Sequence, residues 1–312
     1  MSTETFEQHR SALTGVAYRI LGTVADAEDV VQEAWLRWSE VDQAVVRDAK
    51  AYLIRVTSRL AIDRLRWVKA RRESYVGPWL PEPFGVEPDA AERAELADTV
   101  ELALLVVLET LSPLERAVFV LREAFDLPYA EIAEVIGRAE PATRQLARRA
   151  REHVQEKRPR FDVDRARRRE ITERFIGASA GGDLAALTEL LSQDVTLVGD
   201  GGGRAKAPLR VLFGADHVGR FVAGIATPVG AERFLASLGL ERGELSFGLV
   251  ELNNAPAIVV GAAGRVVTVI SLDIADGKIQ TIYLVANPEK LSHLAPLDPG
   301  PPDSGQAARL GR

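Results

Sequence analysis

The sequence LPYAEIAEVIGRAEPATRQLARRAR, residues 127–151, predicts two short helices joined by a tight turn. Apolar residues recur at helical spacing up to Gly137, a residue type that tolerates the positive φ common at a helix C-terminus. Pro141 falls in the first turn of the second helix, where its missing N–H costs no intrahelical hydrogen bond. This pattern is typical of a helix-turn-helix whose second helix enters the DNA major groove.

The second helix is rich in arginine and carries the candidate DNA contacts. Side chains near its N-terminal end can reach base edges, whereas those further along are better placed for phosphates. The candidates for base edges are Thr143, Arg144 and Gln145, and those for phosphates are Arg148, Arg149 and Arg151. An ordinary helical hairpin with a solvated arginine face is the alternative interpretation.

The composition is that of a soluble globular protein with room for more than one domain. The chain has 312 residues, 46% of them hydrophobic and 27% charged, with a net charge of −6. Because there is no cysteine, disulfides and cysteine-ligated zinc are excluded. No apolar run approaches the roughly 20 residues of a membrane span, so we expect a cytoplasmic protein with no membrane partner. The basic residues cluster at residues 64–72 and 144–169, a local pattern that favours nucleic-acid contact.

Three helices are predicted before the first proline-rich segment. The first runs from about Phe6 to Leu21, and the second is capped by Asp26 and acidic in its early turns. The third runs from Ala49 to about Arg72, beginning apolar and ending basic and aromatic. Cations bind phosphates and rings stack on bases, so that end suits separated DNA strands, with burial in the core as the alternative for Trp67.

Residues 74–90 are predicted to be an extended linker because their prolines and glycines cannot sustain a helix. The linker also contains aromatic and apolar residues that a purely flexible tether would lack, so we expect it to bind something. Helices are expected to resume at about residues 89–110, and Ser112 with Pro113 then marks the start of another helix.

Several segments together resemble the two domains of extracytoplasmic-function (ECF) sigma factors of bacteria. They are AEDVVQEAWLRW, AYLIRVTSRLAIDRLR and LSPLERAVFVLREAFDLPYAEIAEVIG with TRQLARRAR, and the match covers about residues 6–155. The resemblance implies sigma domain 2 at residues 1–73, sigma domain 4 at residues 91–157, and a factor that binds RNA polymerase core and promoter DNA. Contacts with the β′ clamp helices of the core are implied for Asp29, Gln32, Glu33 and Trp35. Contacts with the −10 element are implied for Arg59, Arg64, Arg66 and Trp67, and the helix from Arg144 to Arg151 would read the −35 element.

After a basic hinge at residues 158–169, a third domain is expected at residues 170–291. Helices come first, and strands rich in valine and isoleucine follow, separated by turn residues such as Asp276-Gly277. The order predicts an α+β cone and resembles the SnoaL-like, NTF2-like fold, whose curved antiparallel sheet wraps a pocket. The expected strands are Asp194–Val198, Glu244–Leu252, Ala257–Val260, Arg265–Ile274 and Lys278–Val285. Residues 292–312 are expected to form a tail that is disordered except where it docks.

Three short motifs resemble those of the ECF subgroup with a fused SnoaL-like domain. DGGGR follows the first expected strand, NPEKL follows the last, and WLPEP lies in the linker. We expect them to form a regulatory contact with the linker or the sigma domains. Its residues would be Trp79, Leu80, Pro81, Asp200, Gly201, Gly202, Gly203, Arg204, Asn287, Pro288, Lys290 and Leu291.

Two other functions are compatible with parts of the sequence. One is a one-component DNA-binding regulator whose C-terminal domain senses a small-molecule ligand. The other is an isomerase-like or cyclase-like enzyme, since related folds host such chemistry without implying it. Its acid–base candidates are Asp200, Asp216, His217 and Asp273, and they form no convincing pair. We therefore expect no enzymatic activity, no cofactor and no metal.

Overall fold

The computed structural model describes residues 2–72, 74–85, 101–157, 163–240 and 245–297. The chain divides into two compact units. The described residues of 1–73 and 86–158 form the first unit, and those of 74–85 and 159–312 form the second. Linker residues 74–85 therefore fold with the C-terminal domain rather than forming a separate tether. The expectations for residues 86–100, 158–162, 241–244 and 298–312 lie outside the described residues.

The described residues of the first unit fold into helices. Its α-helices are α1 Ser2–Leu21, α2 Val24–Glu40, α3 Ala49–Arg72, α4 Leu102–Glu109, α5 Pro113–Glu123, α6 Tyr129–Ile136 and α7 Glu140–Lys157. Helices α1, α2 and α3 pack together around buried Phe6, Trp38 and Leu65. Asp26 was expected to cap α2, but the helix begins earlier, with Thr23 at the N-cap position. Asp26 instead accepts a hydrogen bond from Thr23 Oγ1 at 2.6 Å.

The helix-turn-helix is formed by α6 and α7, as the sequence predicts. Gly137 ends α6 with φ of 65° and ψ of 43°, and its N–H donates to the carbonyl of Ala133. Upstream, Ser112 and Glu115 form a reciprocal capping box at the start of α5. The buried stripe of α7 consists of Thr143, Ala147, Ala150 and Val154. The remaining sides of α7 are left to arginine and other polar side chains.

The second unit combines helices with one mixed sheet. Its helices are α8 Arg165–Ala180, α9 Leu184–Leu190, α10 Ala215–Ala226 and α11 Pro228–Ser237. Its strands are β1 Leu191–Asp200, β2 Leu212–Phe213, β3 Ser246–Leu252, β4 Ala255–Ala262, β5 Arg265–Ala275 and β6 Lys278–Val285, in the order β2-β1-β6-β5-β4-β3. Buried apolar side chains, among them Phe175, Leu197 and Ile282, fill the space between the helices and the sheet.

The sheet departs from the expected antiparallel arrangement at one pair of strands. β1 runs parallel to β6, and Asp200 lies opposite Val285. A parallel pair needs a long crossover, and the helices and hairpins between β1 and β6 supply it. The C-terminal ends of the first and last long strands therefore lie side by side. Two motifs that are far apart in sequence, DGGGR and NPEKL, start at the same edge of the sheet.

One other expectation needs correction in the described residues. The basic hinge was expected to reach residue 169, but α8 already begins at Arg165, where the Asp164 side chain caps it by accepting from the N–H of Arg167. The start of the tail docks on the sheet, where Leu297 lies against Gly248 of β3. No helix in the described part of the chain is long and apolar enough to cross a membrane.

Replacing Gly137 with alanine is expected to loosen the helix-turn-helix. A left-handed backbone costs a non-glycine residue about 1–2 kcal/mol, although no atom would clash with the added methyl group. Amides of α6 and α7 should therefore exchange faster with deuterium. Gly177→Ala in the exposed part of α8 is the matched control, because alanine favours a helix interior and should slow local exchange. Equal exchange in α6 for Gly137→Ala and the unmodified chain would contradict the proposed strain.

Candidate functional sites

The carboxylate of Asp200, at the end of β1, is the centre of the contact between the linker and the C-terminal domain. The residue is fully buried. Its Oδ1 accepts a hydrogen bond from Tyr75 Oη at 2.6 Å, and its Oδ2 accepts from the backbone N–H of Leu80 at 2.8 Å. Lys290 Nζ donates to the same Oδ2 at 2.7 Å. A buried carboxylate is costly unless its charge and lone pairs are satisfied, and these three donors satisfy it.

Lys290 extends the contact to the other backbone group of Leu80. Its side chain is 5% exposed, and besides the bond to Asp200 its Nζ donates to the carbonyl oxygen of Leu80. The same nitrogen lies 3.8 Å from the ring centroid of Trp79 and 5.2 Å from that of Tyr75. Ring faces attract a cation, so the linker stabilises the ammonium group that binds it. The ion pair thus holds both the N–H and the C=O of one linker residue.

Tyr75 and Asn287 complete this contact. Asn287 Nδ2 donates to Tyr75 Oη at 2.8 Å. Burial, followed by the hydrogen bond to Asp200, raises the pKa of the Tyr75 phenol, so it remains a neutral donor. Gly202 has φ of +59°, and a Cβ there would come within 2.4 Å of Asn287 Nδ2 and 2.9 Å of Tyr75 Oη. The second glycine of DGGGR is therefore required by both its backbone conformation and this close approach.

A second anchor holds the far end of the linker. The N–H of Phe84 donates to Asn253 Oδ1 at 3.0 Å, and the N–H of Asn253 donates to the carbonyl of Phe84 at 2.8 Å. His293 Nε2 lies 2.8 Å from the carbonyl oxygen of Pro83. Neither Asn253 nor His293 was among the residues expected to contact the linker. In the sequence, an asparagine that binds the linker cannot be distinguished from one that only forms a turn.

The other residues of the expected regulatory contact lie in different environments. Pro81, Gly201 and Leu291 are buried and Pro288 is half-buried, whereas Gly203 and Arg204 are exposed. Arg204 forms an ion pair with Glu289 at 2.6 Å, and about 60% of each side chain is exposed. An exposed pair of this kind contributes about 0–1 kcal/mol. Gly203 and Arg204 are thus the members of DGGGR that face solvent.

The acid–base candidates of the C-terminal domain have separate surroundings. Asp200 is committed to the linker, and Asp216 forms an exposed ion pair with Arg220 at 2.9 Å. Asp273 lies near Tyr283, whose pKa is raised by burial first and by that carboxylate second. Within the described residues, no group of three or more acidic or histidine side chains could hold a metal ion.

A cleft of about 260 Å³ lies beside the start of β5, between α11 and the segment after β6. Leu238, Val267, Leu291 and Pro296 contribute to its lining. Ligand pockets usually enclose about 300–1,000 Å³, so this cleft is small for one.

Helix α2 presents the residues expected to bind polymerase core on its outer face. The exposed ones are Asp29, Gln32 and Glu33. Leu36, one turn further on, is 55% exposed and was not singled out by the sequence analysis. Trp35 is half-buried, with its ring in an edge contact with Phe6 at 5.1 Å between centroids. The outer face of α2 therefore combines acidic and amide groups with one exposed leucine, and Trp35 also packs against α1.

Helix α3 carries the four residues expected at the −10 element. Arg64 donates to Asp26 at 2.8 Å and to Asp29 at 2.9 Å, and these bonds raise its pKa. The Arg64 guanidinium also lies over the ring of Trp67, at 5.3 Å from the centroid. Trp67 is 52% exposed, which argues against the alternative that it belongs to the core. Arg66 pairs with Asp63 on the same helix.

Arg59, the fourth of these residues, contacts the helix-turn-helix instead of lying free on α3. Its guanidinium donates to the backbone carbonyls of Glu134 at 2.7 Å and Val135 at 3.3 Å, near the end of α6. Carbonyls at a helix C-terminus carry a partial negative charge that favours a cation.

Helix α7 exposes most of the residues expected to read the −35 element. Gln145 is exposed, and the arginines are held by exposed or partly exposed glutamates: Arg144 by Glu140, Arg148 by Glu152, Arg149 by Glu115 and Arg151 by Glu123. Arg144 also lies over the ring of Tyr129 at 4.5 Å. Thr143 differs, because it is fully buried and its hydroxyl donates to the carbonyl of Ala139 at 3.2 Å. The expected contact of Thr143 with base edges is therefore corrected to a packing role.

Substituting Asp200 with asparagine is expected to release the linker from the C-terminal domain. The amide cannot neutralise the buried Lys290 ammonium, and removing one partner of a buried ion pair typically costs about 3–5 kcal/mol. Deuterium exchange should accelerate in peptides from residues 74–85, which include the Leu80 amide, while peptides from β4 and β5 stay protected. Arg204→Ala, which removes only an exposed ion pair, is the control and should leave exchange unchanged. Full protection of the linker in Asp200→Asn would refute the role of the ion pair.

Family models of known proteins match the two helical regions of the first unit. Residues 5–72 match the family model of sigma-70 region 2, and residues 101–154 match that of sigma-70 region 4. The chain is 41% identical to the ECF RNA polymerase sigma factor SigJ of Mycobacterium tuberculosis over 94% of each chain. It is 36% identical to a probable ECF sigma factor of the same species, SigI, over 92% of this chain and 93% of that one.

A solved structure supports the same assignment for the whole fold. The crystal structure of M. tuberculosis SigJ matches with a TM-score of 0.72 and 38% identity, covering 92% of this chain and 97% of that one. The match includes the C-terminal domain with its helices and six-stranded sheet. Two sigma regions, whole-length relatives and a solved structure that matches most of the chain lead to one conclusion: this chain belongs to the extracytoplasmic-function sigma factors of RNA polymerase.

Proposed function

We propose that this sigma factor directs promoter-specific initiation through three helix faces and is regulated by its own C-terminal domain through the linker. The outer face of α2 would bind the clamp helices of the core, α3 would bind the −10 element, and α7 would bind the −35 element. The proposal rests on these faces being exposed and chemically distinct, as each partner requires.

The α2 face suits a protein partner. It places Asp29, Gln32 and Glu33 around the exposed side chain of Leu36. Protein interfaces commonly join an apolar centre to a polar rim, and charged side chains at the rim set orientation and association rate. Trp35, which is half-buried, would contribute through its accessible part and through its packing against α1.

The α3 and α7 faces suit nucleic acid in two different states. Trp67 and the arginines of α3 combine an exposed ring with cations, as separated strands require. Helix α7 offers Arg144 and Gln145 near its N-terminal end for base edges, and Arg148, Arg149 and Arg151 for phosphates. The glutamates that pair with these arginines are exposed or partly exposed, so phosphates can replace them at low cost.

Regulation is supported by one observation above all, the buried Asp200–Lys290 pair that holds both backbone groups of Leu80. Leu80 lies in the segment that joins the two promoter-binding domains. A domain that binds this segment alters initiation if it favours one arrangement of those domains over another. The one-component regulator is the second candidate, but the whole-length match to sigma factors favours a protein that acts with the polymerase.

The regulatory part of the proposal is tested by in vitro transcription with purified core polymerase, using the full chain. Asp200→Asn should change the level of initiation at least two-fold relative to Arg204→Ala, while both variants retain core equally. A rise would mean that linker binding restrains initiation, and a fall would mean that it supports initiation. Equal initiation by the two variants would overturn regulation through this contact.

The −35 contact predicts a specific salt dependence. Replacing both Arg148 and Arg149 with alanine should remove two phosphate contacts, which lowers the slope of log K against log salt by about 1.8. Promoter binding by the polymerase holoenzyme, measured from about 50 to 200 mM salt, gives that slope. A double variant of Arg220 and Arg233, two exposed arginines of the C-terminal domain, is the matched control for charge. Equal slopes for the two double variants would contradict the assignment of α7.

A further inference from the structure

The half-buried side chain of Tyr129, at the start of α6, contacts three arginines of the helix-turn-helix and of the helix before it. The guanidinium of Arg144 lies over its ring at 4.5 Å from the centroid, and that of Arg122 lies at 5.2 Å. Hydrogen bonds to the Glu123 carboxylate first, and to the Tyr129 hydroxyl second, raise the pKa of Arg151. Two of the three arginines, Arg144 and Arg151, belong to the face of α7 that we assign to the −35 element.

The third arginine, Arg122 of α5, is fixed by the turn that precedes α6. Its Nη1 donates to the carbonyl of Leu127 at 3.0 Å and forms an ion pair with Asp126 at 3.1 Å. Ring faces attract cations, so the fixed guanidinium of Arg122 gives the Tyr129 ring a partner outside α7. The position of the ring is therefore set in part by α5 and the turn, independently of the helix that would enter the DNA groove.

The two contacts of Arg144 differ in what they leave available for DNA. Glu140 Oε1 accepts from both Nε and Nη2 of Arg144, at 3.1 and 2.5 Å, so this ion pair occupies two of the donors that a base would need. The ring of Tyr129 instead attracts the charge of the guanidinium through the ring face. When a base displaces Glu140, the ring contact can therefore persist and keep the guanidinium in place, as bidentate recognition of guanine requires.

We propose that Tyr129 is a positioning residue for recognition of the −35 element, whose ring holds Arg144 towards a base edge and whose hydroxyl holds Arg151 towards the DNA backbone. The inference rests on the proposed function, because it takes α7 as the reader of the −35 element. Arginine has many rotamers, and restricting them before binding lowers the conformational entropy that is lost when the contact with DNA forms. Tyr129 thus acts on DNA binding through the two arginines and not by touching DNA itself.

The ring and the hydroxyl of Tyr129 make contributions that can be measured separately. Loss of an exposed contact between a ring and a cation changes an equilibrium by about two- to five-fold, and this change should appear only at the base pair that Arg144 reads. Loss of the hydroxyl should weaken binding to every promoter sequence by about two-fold, because the phosphates that Arg151 would contact are common to all of them.

The test uses holoenzyme assembled from purified core and the full chain, on a promoter from which the unmodified chain initiates. Each base pair of the −35 element is replaced in turn, and the ratio of the dissociation constants for the changed and the original promoter measures discrimination. Arg144→Ala identifies the base pair that Arg144 reads, since discrimination there should fall at least about five-fold. Tyr129→Leu should lower discrimination at that same base pair by about two- to five-fold and leave the other ratios unchanged.

Conservative and double variants separate positioning from a loss of fold and from a direct DNA contact. Tyr129→Phe keeps the ring, so it should keep the discrimination of the unmodified chain and lose only about two-fold in affinity at every promoter. In an Arg144→Ala background, Tyr129→Leu should lower discrimination no further, because the arginine on which the ring acts is absent. Tyr129→Phe should likewise have no effect on affinity in an Arg151→Ala background.

The outcomes distinguish this inference from the proposed function. If Arg144→Ala lowers discrimination but Tyr129→Leu leaves every ratio unchanged, positioning of Arg144 is refuted and the function stands. A further loss for Tyr129→Leu in the Arg144→Ala background would mean that the ring contacts DNA itself, which also refutes positioning. Unchanged affinity of Tyr129→Phe would refute the role of the hydroxyl at Arg151. If Arg144→Ala changes neither discrimination nor affinity, α7 does not read the −35 element, and the proposed function fails together with the inference.

Discussion

The ion pair between Asp200 and Lys290 is the interaction on which the linker depends. Two charges removed from water cost several kcal/mol each, and their attraction compensates only if the remaining hydrogen-bonding groups are satisfied. Here the linker supplies the missing partners, through the backbone of Leu80 and the hydroxyl of Tyr75. The C-terminal domain and the linker therefore stabilise each other, which explains why residues 74–85 belong to the second unit rather than to the sigma domains they connect.

Residues that we assign to different partners also contact one another in the first sigma domain. Arg64, assigned to the −10 element, is bonded to Asp29, assigned to polymerase core. Arg64 also donates a hydrogen bond to a second carboxylate, Asp26, and its guanidinium lies over the ring of Trp67. A change in the surroundings of Asp29 therefore alters the interactions available to Arg64. The face assigned to polymerase core and the face assigned to the −10 element therefore share one charged group, the Arg64 guanidinium. Binding at one face can affect the other through that group.

Local sequence patterns predicted local structure well and long-range contacts poorly. Gly137, Pro141 and the apolar spacing around them were sufficient for the helix-turn-helix, because each acts within a few residues. The strand Lys278–Val285 was predicted at its observed bounds, since turn residues mark its start. The parallel pairing of β1 with β6 could not be predicted from local patterns, because it joins two segments that a long crossover separates in the sequence.

In the candidate sites too, the sequence predicted local features but not long-range contacts. The motifs identified Asp200, Asn287 and Lys290, but which atoms of the linker they bind depends on how the sheet brings β1 and β6 together. Burial of Thr143 reverses its expected role, because its helix position places it on the stripe that packs rather than on the surface that reads DNA. Asn253 and His293 carry no local signal for contact with a linker about 170 and 210 residues earlier, and only the fold reveals them.

The parallel edge that unites DGGGR with NPEKL also imposes an order in time during synthesis. Leu80 is made 120 residues before Asp200 and 210 residues before Lys290. At about 5–20 residues per second, the ribosome reaches Lys290 some 10–40 s after Leu80. Both promoter-binding domains are complete well within that interval, because the second ends before the C-terminal domain begins. Each newly made molecule therefore passes through a period of its life in which the sigma domains exist and the ion pair that binds their linker does not.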